Sequence, residues 1–271
     1  MAGRMEPAAR WPPCWGWRRR SVMIPGQDEQ RTMGPLTVSG VAFLVLLARW
    51  WQAGRPIIID YLGMGVVYLY ARIWHRWSTR GQRLPASGPA ILLSNHTCSA
   101  DPAFLQAGCP RPLSFVIARE YYHLPLLQGL LSYIGCVPVA RNGRDATGVR
   151  LALRRLAEGR MLCIFPEGGL SQAGRRGLRP GKAGVALLAL RSRAPVYPAL
   201  IVGGPQTSSL VRAWLLPSRV QVIYGPPVNL SEYYDRPIDR KLLEEVTQTV
   251  MQRVASLVEP CRQPTPCKVA G

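Results

Sequence analysis

The chain predicts an α/β fold, a mostly parallel or mixed sheet flanked by helices and preceded by a pair of apolar helical segments. Three observations predict it. Short apolar runs at 90–93, 113–118, 136–139, 161–165, 196–202 and 220–224 have the length and composition of buried strands. Helical patterns lie between them, at 101–108, 120–134, 146–159 and 182–192. A closing segment, 239–258, repeats Leu242, Leu243, Val246, Val250, Val254 and Leu257 at helical spacing, one apolar face with polar residues opposite. Strands alternating with helix-length crossovers favour parallel pairing, because a parallel neighbour is reached only by a long connection.

The N-terminal part reads differently. Residues 1–34 are rich in Pro, Arg and Trp without a period, which predicts a disordered basic extension; Met23 and Met33 are alternative starts. Residues 35–83 predict membrane-associated helical segments. The run 36–48 is apolar but, at thirteen residues, short of the roughly 20 that span a bilayer. The run 57–74 is longer and contains Asp60 and Arg72. Trp50, Trp51, Trp74 and Trp77 beside Arg residues have the chemistry of an interfacial belt. Two helices lying in one leaflet fit this pattern, with a single span or a buried hairpin as alternatives. Arg76, Arg80 and Arg83 then suit the cytoplasmic headgroup layer. A Pro/Gly-flanked linker opens the α/β domain, 84–258, and a Pro/Cys-rich tail, 259–271, closes the chain.

Charge narrows the partners. Lys and Arg number 34 against 15 Asp and Glu, a net charge of +19 over 271 residues. This suits phospholipid headgroups, phosphorylated substrates or nucleic acid. Nucleic acid is disfavoured, because no aromatic–basic recognition motif stands outside the N-terminus. The seven cysteines include no Cys-x-x-Cys, and the three histidines, His75, His96 and His123, share no zinc spacing with them. Neither a metal centre nor a disulfide framework is expected, and a reducing, cytosol-facing site fits.

The chemistry concentrates in residues 91–101, Ile-Leu-Leu-Ser-Asn-His-Thr-Cys-Ser-Ala-Asp. The apolar run delivers Asn95 and His96 to a strand's C-terminal end, where open α/β sheets place their sites. Asp101, before Pro102, reads as an N-cap whose carboxylate a turn can aim at the imidazole. A carboxylate on one ring nitrogen fixes the tautomer and leaves the other as a general base. The plainer reading is a strand-end His on a carbonyl and an Asp that only caps its helix.

A second stretch, Phe165-Pro166-Glu167-Gly168-Gly169-Leu170-Ser171, follows another strand. Its glycines permit close backbone approach to a ligand, and its N–H groups can cradle phosphate. Before it, Gly135-Cys136-Val137-Pro138-Val139-Ala140-Arg141 ends a strand on a guanidinium, a bidentate phosphate binder. After it come Arg175, Arg176, Arg179 and Lys182 in a Gly-rich loop, then Val196-Tyr197-Pro198-Ala199. A solvated charge run is the bland reading of these cations; Lys182, at a helix start, suits phosphate or coenzyme A.

These four blocks, in this order across roughly 84–230, resemble the glycerolipid acyltransferase family, PlsC-type and 1-acylglycerol-3-phosphate acyltransferase-like. The resemblance implies an O-acyltransferase that moves a fatty acyl group from acyl-CoA or acyl carrier protein to 1-acylglycerol 3-phosphate, giving phosphatidic acid. His96 would be the base and Asp101 its orienting carboxylate. Asn95, Arg141, Glu167, Gly168, Gly169, Ser171 and Lys182 would bind substrate; no metal or other cofactor is implied. Gly169 departs from the Thr or Ser usual in the family, which bears on the acceptor more than on the reaction. Its partners would be membrane lipids, at the cytoplasmic face. Alternatives are another acceptor (glycerol 3-phosphate, another lysophospholipid or a lyso-ornithine lipid) and, in another class, a non-catalytic basic membrane-surface protein. A hydrolase elbow around Ser171 fails, because all three histidines precede it. Cys98 remains a weak rival as an acyl-carrying nucleophile.

Overall fold

The computed structural model describes residues 57–141, 145–170 and 178–258. The basic extension, the apolar run 36–48, Ser171, Arg175, Arg176 and the tail lie outside the described residues. Among the described residues, a seven-stranded sheet runs in the order β1-β7-β6-β2-β5-β3-β4. Its strands are β1 (Ser78–Gly81), β2 (Ala90–Ser94), β3 (Leu113–Ala118), β4 (Val137–Val139), β5 (Met161–Ile164), β6 (Val196–Val202) and β7 (Gln221–Tyr224). Neighbours pair parallel throughout, except that β7 lies antiparallel to β6.

The central strands are apolar without alternation because helices cover both faces. Every residue of β2 and of β5 is buried. Their period of two still sorts side chains between two cores. Ile91 and Leu93 of β2, with Leu162 and Ile164 of β5, enter the core shared with α5 (Ala146–Ala157), α6 (Gly184–Ser192) and α8 (Arg240–Ser256). Ala90 and Leu92, with Met161 and Cys163, face α2 (Asp101–Ala107) and the end of α1 (Ile57–Trp74).

All six expected strands form, and the corrections have local causes. The helix expected over 120–134 is two, α3 (Arg119–Tyr122) and α4 (Pro125–Ile134). Pro125 pushes Leu124 out of the helical region to ψ 125°. Gly135, at φ 78°, then supplies the left-handed stop of α4. Strand β1, Ser-Thr-Arg-Gly, has no apolar pattern; it is an edge strand, so neither face of it demands one. The sheet therefore begins before Leu84, within the span 35–83 where membrane-associated helical segments were expected.

Helix α1 forms over the residues of the second apolar run. Its last turn belongs to the core: Ala71 is fully buried, and the Trp77 indole just beyond donates to the Phe104 carbonyl at 3.0 Å. Most of its remaining apolar side chains stand exposed. Among the described residues, no helix is long and apolar enough to cross a membrane.

Candidate active site

Strand β2 ends at Ser94, and the next two side chains have opposite fates. Asn95 is buried, and its amide pairs with the backbone of Ile201 on β6. Its Nδ2 donates to the Ile201 carbonyl at 2.9 Å, and its Oδ1 accepts the Ile201 N–H at 2.7 Å. This corrects the expectation of substrate contact. Both ends of the amide extend the β2–β6 ladder past its last paired residues, Ser94 and Ala199. His96 instead turns to the surface, its side chain 18% exposed.

Asp101 is the first residue of α2 rather than its cap; Ala100 stands at the cap position without a side-chain bond. Pro102, at the second helical position, fits there because the first turn needs no N–H from it. The carboxylate folds back over residues 97 and 98. It accepts from the backbone N–H groups of Thr97 and Cys98, from Thr97 Oγ1 at 3.1 Å and from Cys98 Sγ at 3.3 Å. It also meets His96 Nδ1 at 3.0 Å. The group is fully buried and fixed in place by these donors.

An acceptor-only carboxylate on Nδ1 keeps the proton on that nitrogen, so Nε2 holds the lone pair. No described residue bonds Nε2. The ring stacks on Phe165, with centroids 4.0 Å apart and planes 17° from parallel. Phe165 follows β5 directly in the motif Phe-Pro-Glu-Gly, so the ends of two neighbouring strands fix the imidazole in position and plane. Sequence reasoning gave Phe165 no role, because a stacking partner seventy positions away leaves no local signal.

Cys98 is not a nucleophile. It is fully buried, its sulfur faces Asp101, and burial pushes its thiol well above the ordinary range. A thiolate beside a buried carboxylate is the wrong charge in the wrong place.

The turn after Phe165 supplies the other half. Glu167 is buried; its Oε1 accepts the His96 backbone N–H at 3.4 Å, and its Oε2 has no partner among the described residues. A buried acceptor without a donor costs about 1–3 kcal/mol, which a ligand hydroxyl would recover. Gly168 sits at φ +69°, and a Cβ there would lie 2.4 Å from Lys182 Cε. The left-handed φ favours glycine here, and a Cβ would push the flexible end of the Lys182 side chain aside. Lys182 donates from its backbone to Pro166 O at 2.9 Å and from Nζ to Arg141 O at 3.3 Å.

Arg141, past the end of β4, therefore reaches the same place. A Cβ on Gly169 would lie 3.9 Å from Arg141 Nη1. Arg141 Nε pairs with Glu120 of α3, and its guanidinium lies over the Tyr121 ring at 5.5 Å. Glu120 thus holds the arginine. Helix position gave no signal for it. The structure gathers His96, Asp101, Glu167, Gly168, Gly169, Arg141 and Lys182 at one end of the sheet. It assigns Asn95 to the scaffold, and Ser171 lies outside the described residues. Among the described residues, no cluster of His, Cys, Asp and Glu could hold a metal ion.

The family described as Acyltransferase matches residues 76–202, which include both the His96 turn and the Glu167 turn. The 1-acyl-sn-glycerol-3-phosphate acyltransferase of Bacillus subtilis is 23% identical over 177 residues, 65% of this chain and 84% of that protein. The enzyme of the same name from Limnanthes douglasii is 30% identical over 153 residues, 55% of this chain; the chain spans about half (54%) of that plant protein's length. The crystal structure of the 1-acyl-sn-glycerophosphate (LPA) acyltransferase PlsC from Thermotoga maritima superposes with a TM-score of 0.58 at 17% identity. It covers 85% of this chain and 95% of its own, and the likeness is one of fold. The span that resembles the Acyltransferase family, residues 76–202, thus contains both a histidine oriented by a buried aspartate and the glycine turn beside a lysine.

Proposed function

We propose that this acyltransferase moves a fatty acyl group from an acyl thioester to the free hydroxyl of 1-acylglycerol 3-phosphate, forming phosphatidic acid at the cytoplasmic face of a membrane. The observation that carries the reading is the Asp101-bound His96, whose unengaged Nε2 stands beside a cationic turn. His96 Nε2 removes the proton as the acceptor hydroxyl attacks the thioester carbonyl. Asp101 holds the ring and stabilises the imidazolium that results. As the tetrahedral intermediate collapses, the C–S bond breaks, and the imidazolium returns the proton to the departing thiolate. The exchange of thioester for ester is redox-neutral and leaves His96 as it began.

General-base help of this kind contributes roughly 10²–10⁴-fold. Positioning supplies more. Arg141, Lys182 and the Gly168–Gly169 backbone suit the acceptor's phosphate, a dianion that a fixed guanidinium binds well. Glu167 Oε2, buried and unpartnered, suits a glycerol hydroxyl. The N–H groups of Thr97 and Cys98 are occupied by Asp101, so the oxyanion must find its donors elsewhere.

The test is acyl transfer by the detergent-purified chain. Acyl-CoA and acyl carrier protein donors are offered separately with 1-acylglycerol 3-phosphate, glycerol 3-phosphate, a lysophosphatidylcholine and a lyso-ornithine lipid. Phosphatidic acid as the dominant product is expected. Faster acylation of an acceptor that lacks phosphate would remove the role given to Arg141 and Lys182.

A further inference from the structure

The acyl-transfer chemistry leaves one feature of the site's end of the molecule unused. The connection from β6 to β7 contains a short helix, α7 (Arg212–Leu215), and carries a run of exposed apolar side chains. Leu210, Val211, Trp214, Leu215 and Leu216 are all exposed, Val211 at 66% and Leu215 at 63%. Such a run leaves apolar surface in water and is the mark of an interaction site.

The segment is fixed to α1. The Tyr70 hydroxyl donates to Trp214 O at 2.6 Å, and the two rings stack at 5.7 Å. Buried His75 joins the Tyr70 hydroxyl, at 2.8 Å, to Ser218 Oγ, at 2.7 Å. The Trp74 indole donates to Leu215 O at 3.1 Å. Leu69 and Ile73 of α1, exposed in their turn, extend the same apolar patch.

Its border is basic. Arg72, Arg76, Arg212 and Arg219 are exposed, and none is paired with a carboxylate of a described residue. Arg76 and Arg219 line a cavity of about 450 Å³ together with Ser78, Val220 and Gln221. Ser78 pairs with Gln221, and Gln221 with Val202 at the end of β6, so this groove lies at the end of the sheet where the catalytic turn lies. Ser99, between His96 and Asp101, donates from Oγ to Leu210 O at 2.6 Å. The apolar segment and the catalytic turn are directly joined.

We infer that the β6–β7 connection and the last turns of α1 form a docking surface for an anionic phospholipid leaflet. Its apolar side chains insert beneath the headgroups, and the Arg76–Arg219 groove takes a lipid phosphate. This surface is distinct from the N-terminal apolar run, and the inference rests on reading the chain as an enzyme of membrane lipids. Charge selects the occupant. A second copy seated symmetrically would set four unpaired arginines against the same four, whereas an anionic leaflet neutralises them. Docking here would hold His96 at the headgroup level, where a lysolipid's hydroxyl lies.

The experiment is vesicle flotation of the full-length chain with phosphatidylglycerol/phosphatidylcholine and with pure phosphatidylcholine vesicles. Two double variants are compared, Val211→Ser with Leu215→Ser, and Arg76→Gln with Arg219→Gln. The second changes only exposed side chains and guards against a folding artefact in the first. Each should bind anionic vesicles about tenfold more weakly, and the arginine variant should lose the preference for anionic lipid. Acyl transfer between short-chain, water-soluble substrates should be unchanged in both. Weaker docking by the variants of a chain inactive on every acceptor would support this surface and refute the proposed reaction. Wild-type affinity in both variants would overturn the inference. So would unchanged affinity with a dimer lost on sedimentation, which would assign the face to a second copy.

Discussion

Replacing Asn95 by Ala separates a scaffold residue from a ligand. Its amide makes two buried bonds to the Ile201 backbone, at 2.9 and 2.7 Å. Truncation removes both and leaves the N–H and C=O of buried Ile201 without these partners. Each orphaned group costs about 1–3 kcal/mol, so the loss is about 2–6 kcal/mol. Against a typical total of about 5–15 kcal/mol, that is a large fraction. Equilibrium urea unfolding in detergent, followed by tryptophan fluorescence, reads the loss as a lower midpoint with an unchanged slope. Steady-state kinetics on the folded fraction should give an acceptor KM within about threefold of wild type, about 0.7 kcal/mol. A stability change below about 1 kcal/mol with a tenfold higher KM would refute the reasoning and return Asn95 to the acceptor site.

Three other outcomes follow from the same geometry. Gly168→Ala must adopt φ +69° and displace Lys182, so about 1–2 kcal/mol of stability should be lost and acceptor KM should rise at least about tenfold, checked by unfolding and kinetics. Asp145 caps α5 through Gly148 N and also accepts from Ala140 N; these bonds, with Arg119, hold its carboxyl below its ordinary value of 3.8. A lowered folded value means stability present above pH 3.8 and lost as pH falls through the folded value; Asp145→Asn should flatten that acid limb and cost about 0.5–2 kcal/mol at neutral pH, read by thermal melts across pH. Cys98→Ala should retain acyl transfer within a few-fold, and no acyl-enzyme should be trapped by rapid quench of the wild type; a trapped Cys98 thioester would contradict direct attack.

The buried strands were legible in the sequence because burial on both faces makes them continuous apolar runs. Edge strand β1 was not, since nothing requires Ser-Thr-Arg-Gly to be apolar. The antiparallel setting of β7 depends on how the chain returns from β6, which local composition does not encode. In the site, His96 and Asp101 were legible from a short spacing that a turn can close. The spacing did not reveal that Asp101 is held by the Thr97 and Cys98 N–H groups rather than capping α2. The fates of Asn95 and Arg141 were hidden for another reason. Their partners, Ile201 and Glu120, come from other elements, and a side chain's partner is set by sheet order and helix placement. Glycine was more informative: Gly168 was flagged for close approach, and what approaches is the Lys182 side chain.

The most direct measurement is the rate of phosphatidic acid formation from acyl-CoA or acyl carrier protein donor and 1-acylglycerol 3-phosphate by wild type and His96→Ala at equal folded concentration. If Nε2 is the base, the variant should fall by about 10²–10⁴-fold in kcat with acceptor KM little changed. Equal rates in the two proteins would contradict the mechanism. A folded wild type that makes no phosphatidic acid from either donor would contradict the proposed reaction itself.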